Sequence, residues 1–280
     1  MARVFGRMEV VERLRKEVSA RRPLFDALVG SGITAKFAEA GGADLITTFI
    51  LAYWRMQGLS SMAGYLPIGD ANAMVLDLGE RAILPAVRDT PVIAGLLGAD
   101  PTRDMARHLD KVAAAGFSGV MNCPTLALVD GKFRHDLEET GMTYRKEVEM
   151  IRLAHARGMF TKAFATTVEE ALMMVGAGAD NVIAHLGNSS GGSIGSRSAV
   201  GLEDGAQRIA AICRAVKRER PQVFVTCHGG AMETPEQVRA VLAQVPELDG
   251  YVGGSSAERF PIEESVTAAA RAFKALPRGA

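Results

Sequence analysis

Two histidines, His185 and His228, each close a short apolar run, Asn181-Val182-Ile183-Ala184-His185 and Val223-Phe224-Val225-Thr226-Cys227-His228. Runs of this length and composition read as buried strands of a parallel sheet. Imidazoles at the ends of neighbouring strands can share a metal, act as acid and base, or hydrogen-bond an oxyanion; the plainer role is donation to a backbone carbonyl under the loops. Two glycine pairs lie nearby: Gly229-Gly230 ahead of Thr234-Pro235, and Gly253-Gly254 ahead of Ser255-Ser256. Glycine lets a backbone approach a ligand closely, and a helix start offers unpaired N–H groups at the positive end of a dipole. Two such turns in succession predict a phosphate or carboxylate site built from Gly229, Gly230, Gly254, Ser255 and Ser256. Without a ligand they would simply be tight turns into capped helices. Glu233, just beyond the first pair, is the carboxylate placed to act with His228, or else a solvated residue before a helix.

Other strand ends carry polar residues. Thr47, Thr48, Asn122 and Thr166 are placed to orient a substrate, and Gly30-Ser31-Gly32 forms a further glycine turn suited to an anion. Lys162 lies inside a strand. Turned inward, it would have a depressed pKa and serve as a Schiff-base or proton-transfer group. Turned outward, it would be a side chain snorkelling beneath a helix, and that is the phase taken here. His108, His135 and His155 fall on helices or a loop tip and read as surface. Cys227 adjoins His228, but neighbouring strand residues face opposite sides, so the two do not form a thiol–imidazole pair.

These residues need a scaffold that brings strand ends together. After an opening helix from Met8 to Ser19, strands are expected at 24–29, 43–48, 91–95, 119–122, 160–164, 181–185, 223–228 and 251–253, separated by helix-length amphipathic segments. Glycines in Ala40-Gly41-Gly42, Ala115-Gly116 and Ala177-Gly178 mark left-handed helix stops one turn before the next strand. The alternation predicts a single α/β domain over residues 1–280, a (β/α)8 barrel with an extra N-terminal helix. Active sites of such barrels lie at the C-terminal strand ends, with phosphate held after strands seven and eight. Long connections follow strand two (59–70), strand four (124–141) and strand six (186–201), at that same end. The second is expected to hold a small hairpin around Asp130-Gly131. Helix caps are expected at Asp100-Pro101, Thr234-Pro235-Glu236-Gln237 and Ser255-Ser256-Ala257-Glu258, with Pro261 leaving a stub from Ser255 to Phe260 before the main last helix.

Composition narrows the function. Of 280 residues, 48% are hydrophobic, enough for one large core, and 32 basic residues balance 32 acidic ones. That balance argues against nucleic-acid binding. No apolar run reaches the roughly 18 residues of a membrane span, and the N-terminus has no signal-peptide h-region. Three widely spaced cysteines, Cys123, Cys213 and Cys227, suit a reduced cytoplasmic setting. Apolar residues near helix ends suggest a homo-oligomer.

Several motifs together carry a resemblance. Leu137-Glu138-Glu139-Thr140-Gly141-Met142, Ala184-His185-Leu186-Gly187 with Gly191-Gly192-Ser193-Ile194-Gly195, Cys227-His228-Gly229-Gly230, and Gly253-Gly254-Ser255-Ser256-Ala257-Glu258-Arg259-Phe260-Pro261 resemble the phosphoenolpyruvate hydrolase-like barrel family. That family includes the C-terminal barrel of a plant tobamovirus-resistance protein. More distantly the chain is similar to the phosphoenolpyruvate mutase and isocitrate lyase superfamily. Val29 to Lys36 looks like that superfamily's first-strand turn, whose amides hold the carboxylate of a keto or enol acid. The superfamily's Asp-x-Asp pair for Mg²⁺ after strand three is absent: the segment reads Ile93-Ala94-Gly95-Leu96-Leu97-Gly98-Ala99-Asp100. Its nucleophile and lyase-cysteine motifs are not evident either. The resemblance therefore implies the barrel, and leaves the metal requirement open.

The expected function is a hydrolase or lyase on a phosphoenolpyruvate- or phosphonopyruvate-like acid. Gly30, Ser31 and Gly32 would hold the carboxylate, the strand-seven and strand-eight turns the phosphoryl group, and His185 or His228 would move a proton. The alternatives are a Schiff-base aldolase or synthase using Lys162, and a ligand-sensing or protein-binding barrel without turnover.

Overall fold

The computed structural model describes residues 2–278. A first helix, α1 (Arg7–Ser19), precedes β1 (Leu24–Val29), α2 (Gly32–Ala40) and β2 (Leu45–Thr48). Three helical pieces follow, α3 (Ile50–Met56), α4 (Ala71–Leu78) and α5 (Leu84–Ala86), then β3 (Val92–Leu96), α6 (Met105–Ala115) and β4 (Gly119–Asn122). The chain continues through α7 (Gly131–Glu139), α8 (Tyr144–Ala156), β5 (Phe160–Ala165), α9 (Val168–Gly176) and β6 (Asn181–Ser189). It ends with α10 (Leu202–Glu219), β7 (Phe224–Gly230), α11 (Pro235–Gln244), β8 (Gly250–Gly253) and α12 (Arg259–Lys274). All strand pairs are parallel, and the sheet closes as β1 to β8 in chain order, with Leu24 of β1 opposite Gly250 of β8. This is the expected (β/α)8 barrel.

The strands are mostly apolar because both their faces are covered, one by barrel interior and one by helices. Strands β2 to β5 are buried throughout. Gly116 ends α6 in the left-handed conformation (φ 113°), the stop the sequence predicts. Thr234 closes a complete capping box with Gln237 at the start of α11.

Inside the barrel the apolar layers are interrupted by one ion pair. The Lys162 Nζ meets the Asp26 carboxylate and lies 2.8 Å from Thr47 Oγ1, which also donates to Asp26 at 2.9 Å. Lys162 is fully buried, so the outward phase expected for it is wrong. Its inward partners explain the correction: a lysine can point into a barrel when a carboxylate from across the interior pairs with it.

The connection after β4 holds no hairpin. A short 3-10 turn at Leu126–Leu128 leads to α7, and Gly131 is the first helical residue. The i,i+4 pairs Lys132–Asp136 and Arg134–Glu138 lie along that helix, a local preference stronger than the Asp-Gly turn signal. Asp104, not Asp100, caps α6. Asp100 instead binds Thr102, Arg103 and Asn72. His108 is buried rather than on the surface.

At the C-terminal end no stub separates from the last helix. Glu258 is the cap residue, and Pro261 lies in the first turn of α12, where no intrahelical N–H is needed. The Ser255–Glu258 capping box is therefore not formed. Residues 264–278 are all exposed, with Val266 at 63% and Phe273 at 76%.

Candidate functional site

The register of β6 and β7 puts His185 directly opposite His228 at the C-terminal end of the barrel. The two rings lie 4.9 Å apart, edge to face, and Phe164 of β5 packs on both, at 4.5 Å and 5.7 Å between centroids. Hydrogen bonds fix opposite tautomers. The Nδ1 of His228 stands 2.7 Å from the Val252 carbonyl, which can only accept, so the proton is on Nδ1 and Nε2 is a free acceptor. The Nδ1 of His185 accepts from the Gly187 amide at 2.9 Å, which places the proton on Nε2 as a free donor. Burial lowers both pKa values. His185 goes well below the usual imidazole range, helped by the neighbouring His228. His228 falls to about 4, its bond to Val252 opposing the shift and the Arg55 and Lys162 charges adding to it. Both rings are neutral at pH 7.

A cavity opens above the pair. Its inner part is lined by His185, His228, Phe164, Arg55 and Cys123, and its outer part by serines 60, 61, 189, 196 and 255 with Asn188 and Arg259. The outer part has a volume of about 250 Å³. The walls come from the long connections after β2 and β6.

Arg55 is the residue that sequence reading missed. It sits on α3, only 4% exposed, and its Nε and Nη2 bind Glu258, with Nη2 also reaching the Leu28 carbonyl at 2.7 Å. Nothing in the sequence separates this arginine from a surface one, because its burial depends on Glu258, 203 residues away. Its Nη1 remains beside the cavity.

The predicted anion cradles are arranged differently. The Gly30 amide donates at 2.7 Å to Glu258, which also accepts from Thr34 Oγ1 at 2.6 Å. The carboxylate held at the first-strand turn is therefore the chain's own. Ser31 caps α2, accepting from Thr34, and Gly32 makes room for the Ala82 carbonyl. Gly229 and Gly230 do not turn into a helix; they extend β7 beside the drawn-out β6, where Ser189 pairs with Gly230. Gly229 (φ 85°) has the Gly187 carbonyl where a Cβ would be, so glycine there permits strand contact rather than ligand contact.

The remaining candidates separate clearly. Ser255 lines the cavity, whereas Ser256 faces the outer wall and bonds Tyr251 at 2.9 Å. Glu233 meets Ser190 on the strand-six loop and does not reach His228. Thr166 ties the turn after β4 to α9 through the Ala127 carbonyl and the Glu170 carboxylate. Thr48 is buried with an unpaired hydroxyl, and it lines neither part of the cavity. Asn122 acts behind the site: its Oδ1 accepts from the Phe164 amide at 2.7 Å, and its Nδ2 donates to Glu147 and to the Phe164 carbonyl. Burial raises Glu147 to about 7 against three hydrogen bonds that favour its charged form. This network holds the Phe164 ring against the histidines. Lys162 lies within the barrel interior, also outside the cavity lining.

Gly254 has a spatial role the sequence did not reveal. A Cβ there would stand 3.0 Å from His228 Cε1. Gly254→Ala is expected to push the ring from its place and lower kcat/KM at least about tenfold. Because Gly254 has no left-handed backbone, Tm should change by only about 2 °C. Parallel kinetics and calorimetry check this; an equal fall in stability would make Gly254 a folding residue.

The donor set does not fit a hard cation. Among the described residues, no three of His, Cys, Asp and Glu cluster as metal ligands. Of the two carboxylates after β3, Asp100 is committed to Asn72, Thr102 and Arg103, and Asp104 caps α6. Magnesium asks for near-octahedral oxygen coordination that these strand ends do not offer.

With this geometry, residues 9–276 match the phosphoenolpyruvate hydrolase-like family. The chain belongs to that family. Two tomato proteins, the ToMV susceptible protein tm-1(GCR26) and the ToMV resistance protein Tm-1(GCR237), are each 43% identical over 270 residues, 96% of this chain. The chain spans only 36% of the length of either. Among solved structures it is similar to a phosphonopyruvate hydrolase in complex with oxalate and Mg²⁺ (TM-score 0.63, 17% identity, 96% of this chain and 92% of the other). It is also similar to a phosphoenolpyruvate phosphomutase from Streptomyces platensis subsp. rosaceus (TM-score 0.62, 16% identity, 94% and 86%). At such identities the likeness extends to the fold. No helix among the described residues is long and apolar enough to cross a membrane.

Proposed function

We propose that this member of the phosphoenolpyruvate hydrolase-like family is a hydrolase or lyase for a small phosphoenolpyruvate- or phosphonopyruvate-like acid. The observation that carries the reading is the facing pair of neutral histidines in opposite tautomers at the floor of a polar cavity. One offers a proton and the other a lone pair, the complement general acid–base chemistry needs.

For a phosphonopyruvate-like substrate, the acid sits under the serines with Arg55 Nη1 and the Ser255 hydroxyl on its anionic oxygens. Water attacks phosphorus as His228 Nε2 takes its proton. An O–P bond forms, the C–P bond breaks, and its electron pair passes to the keto oxygen as an enolate. The His185 Nε2–H stabilises that oxygen, and carbon then takes up a proton to give the keto acid and phosphate. The similarity to phosphonopyruvate hydrolase and phosphoenolpyruvate phosphomutase supports this substrate class.

A second reading, ligand binding without turnover, draws support from the carboxylate already held by Arg55 and the Gly30 amide. One experiment separates them. The protein is incubated with phosphonopyruvate or phosphoenolpyruvate, with Mg²⁺ or EDTA, and phosphate release and thermal shift are both recorded. Turnover that survives EDTA supports the enzyme. A shift of about 2.7 kcal/mol at 100-fold Kd without phosphate release favours the binding barrel. No response in either assay overturns both.

A further inference from the structure

The cavity carries two arginines, and the reading above uses one. Arg55 lines only the inner part, beside the histidines, and Arg259 lines only the outer part, among the serines. Arg259 is the first residue of α12 and is 6% exposed. The residue before it, Glu258, is fixed by Arg55 and the Gly30 amide, so the arginine leaves the backbone in a set direction. Its Cζ lies 4.7 Å from the centroid of the Phe260 ring, and the glycine-serine loop after β6 rests on it. Gly192 of that loop comes so close that a Cβ there would overlap Nη1. Nη1 binds Glu263 at 2.9 Å, and Nη2 binds the Gly191 carbonyl at 3.2 Å. The Nε is buried and has no acceptor.

A guanidinium is always charged and carries donors along every edge, and a buried donor ordinarily finds an acceptor. Here the edge without one borders a chamber of about 250 Å³ lined by serine hydroxyls. That combination suits an oxyanion. We propose that the outer part is a second anion subsite, in which Arg259 and the serines take a carboxylate at the far end of the substrate. The proposal rests on the acid-binding reading of this cavity and sharpens it: the substrate is a keto or enol acid with a second carboxylate beyond its reacting carbons. Glu263 already offsets part of the Arg259 charge. A singly charged carboxylate fits there, whereas a phosphate dianion would face an acidic neighbour.

2-Oxoglutarate and 2-oxovalerate share chain length and keto-acid head and differ in the far carboxylate. Calorimetric titration of the whole chain should show 2-oxoglutarate binding at least about tenfold tighter, the effect of one hydrogen-bonded charge. In Arg259→Gln the ratio should fall to unity, with the affinity for 2-oxovalerate unchanged. Glu263→Gln leaves more of the Arg259 charge to the ligand and should widen the ratio. Equal affinities in the wild type, a ratio that survives Arg259→Gln, or one that Glu263→Gln narrows would overturn the subsite. Equal loss of both keto acids in Arg259→Gln would make Arg259 a support for the loop and overturn it as well. Phosphate release from phosphonopyruvate, recorded on the same samples, tests the hydrolase reading separately. Its absence beside the expected ratio leaves the subsite standing, and its presence beside equal affinities removes the subsite alone.

Discussion

His185→Asn and His228→Asn should each lower turnover by about 10²–10⁴-fold, the range for loss of one general acid or base. Combined, they should lose little more than the larger single effect, since the two groups serve one proton path. Asparagine keeps a polar side chain under the loops, so the fold should survive. The pH profile supplies a sharper test. An ordinary imidazole would be half-protonated near 6.5. Because His228 is lowered to about 4 and His185 well below its usual range, the rate should stay level down through pH 6. Stability follows the same groups with a definite sign. Their folded pKa values lie below the unfolded one, so the contribution is complete above pH 6.5 and is lost as pH falls towards 4. In the double variant that decline in Tm should flatten. A wild-type rate that halves near pH 6.5 would show charged histidines and sink the assignment of opposite neutral tautomers.

Glu258→Ala is the second change with a large expected effect. It strands the Arg55 guanidinium, 4% exposed, without its carboxylate, a loss of about 3–5 kcal/mol. It also orphans the Gly30 amide and the Thr34 hydroxyl. For a chain of this size Tm should fall by about 6–20 °C. Adding Arg55→Met removes the stranded charge, so the double variant should be more stable than Glu258→Ala alone. Denaturation of the three proteins checks this; strict additivity would show that the two side chains do not depend on each other. In the same samples, α12 should lose its fixed direction, because Glu258 is the residue before its first turn.

The barrel was legible because its signals are local. Each strand is a short apolar run, and Gly116 marks a helix end whatever surrounds it. The histidine pair was legible too, since strand ends are known from the same runs. What the sequence hid are the choices made between distant segments. The glycines after β1 and at the end of β7 promise exposed amides, yet the Gly30 amide serves Glu258 and Gly229 makes room for the Gly187 carbonyl. Ser255 to Glu258 has the spelling of a capping box, but Arg55 draws Glu258 away from that role. Lys162 shows the limit most plainly. Its direction depends on Asp26, which strand alternation alone could not match with it.

The three cysteines, placed on the loop after β4, on α10 and on β7, carry one more consequence. All are buried and unpaired, and burial raises each thiol, that of Cys213 to about 12. A thiolate is the form that reacts with labelling reagents. In the closed barrel Cys213 and Cys227, which line no part of the cavity, are therefore silent, and labelling of either records an opening of the wall that holds it. The chain carries its own two-point clock for breathing motions, readable by mass spectrometry without a single engineered residue.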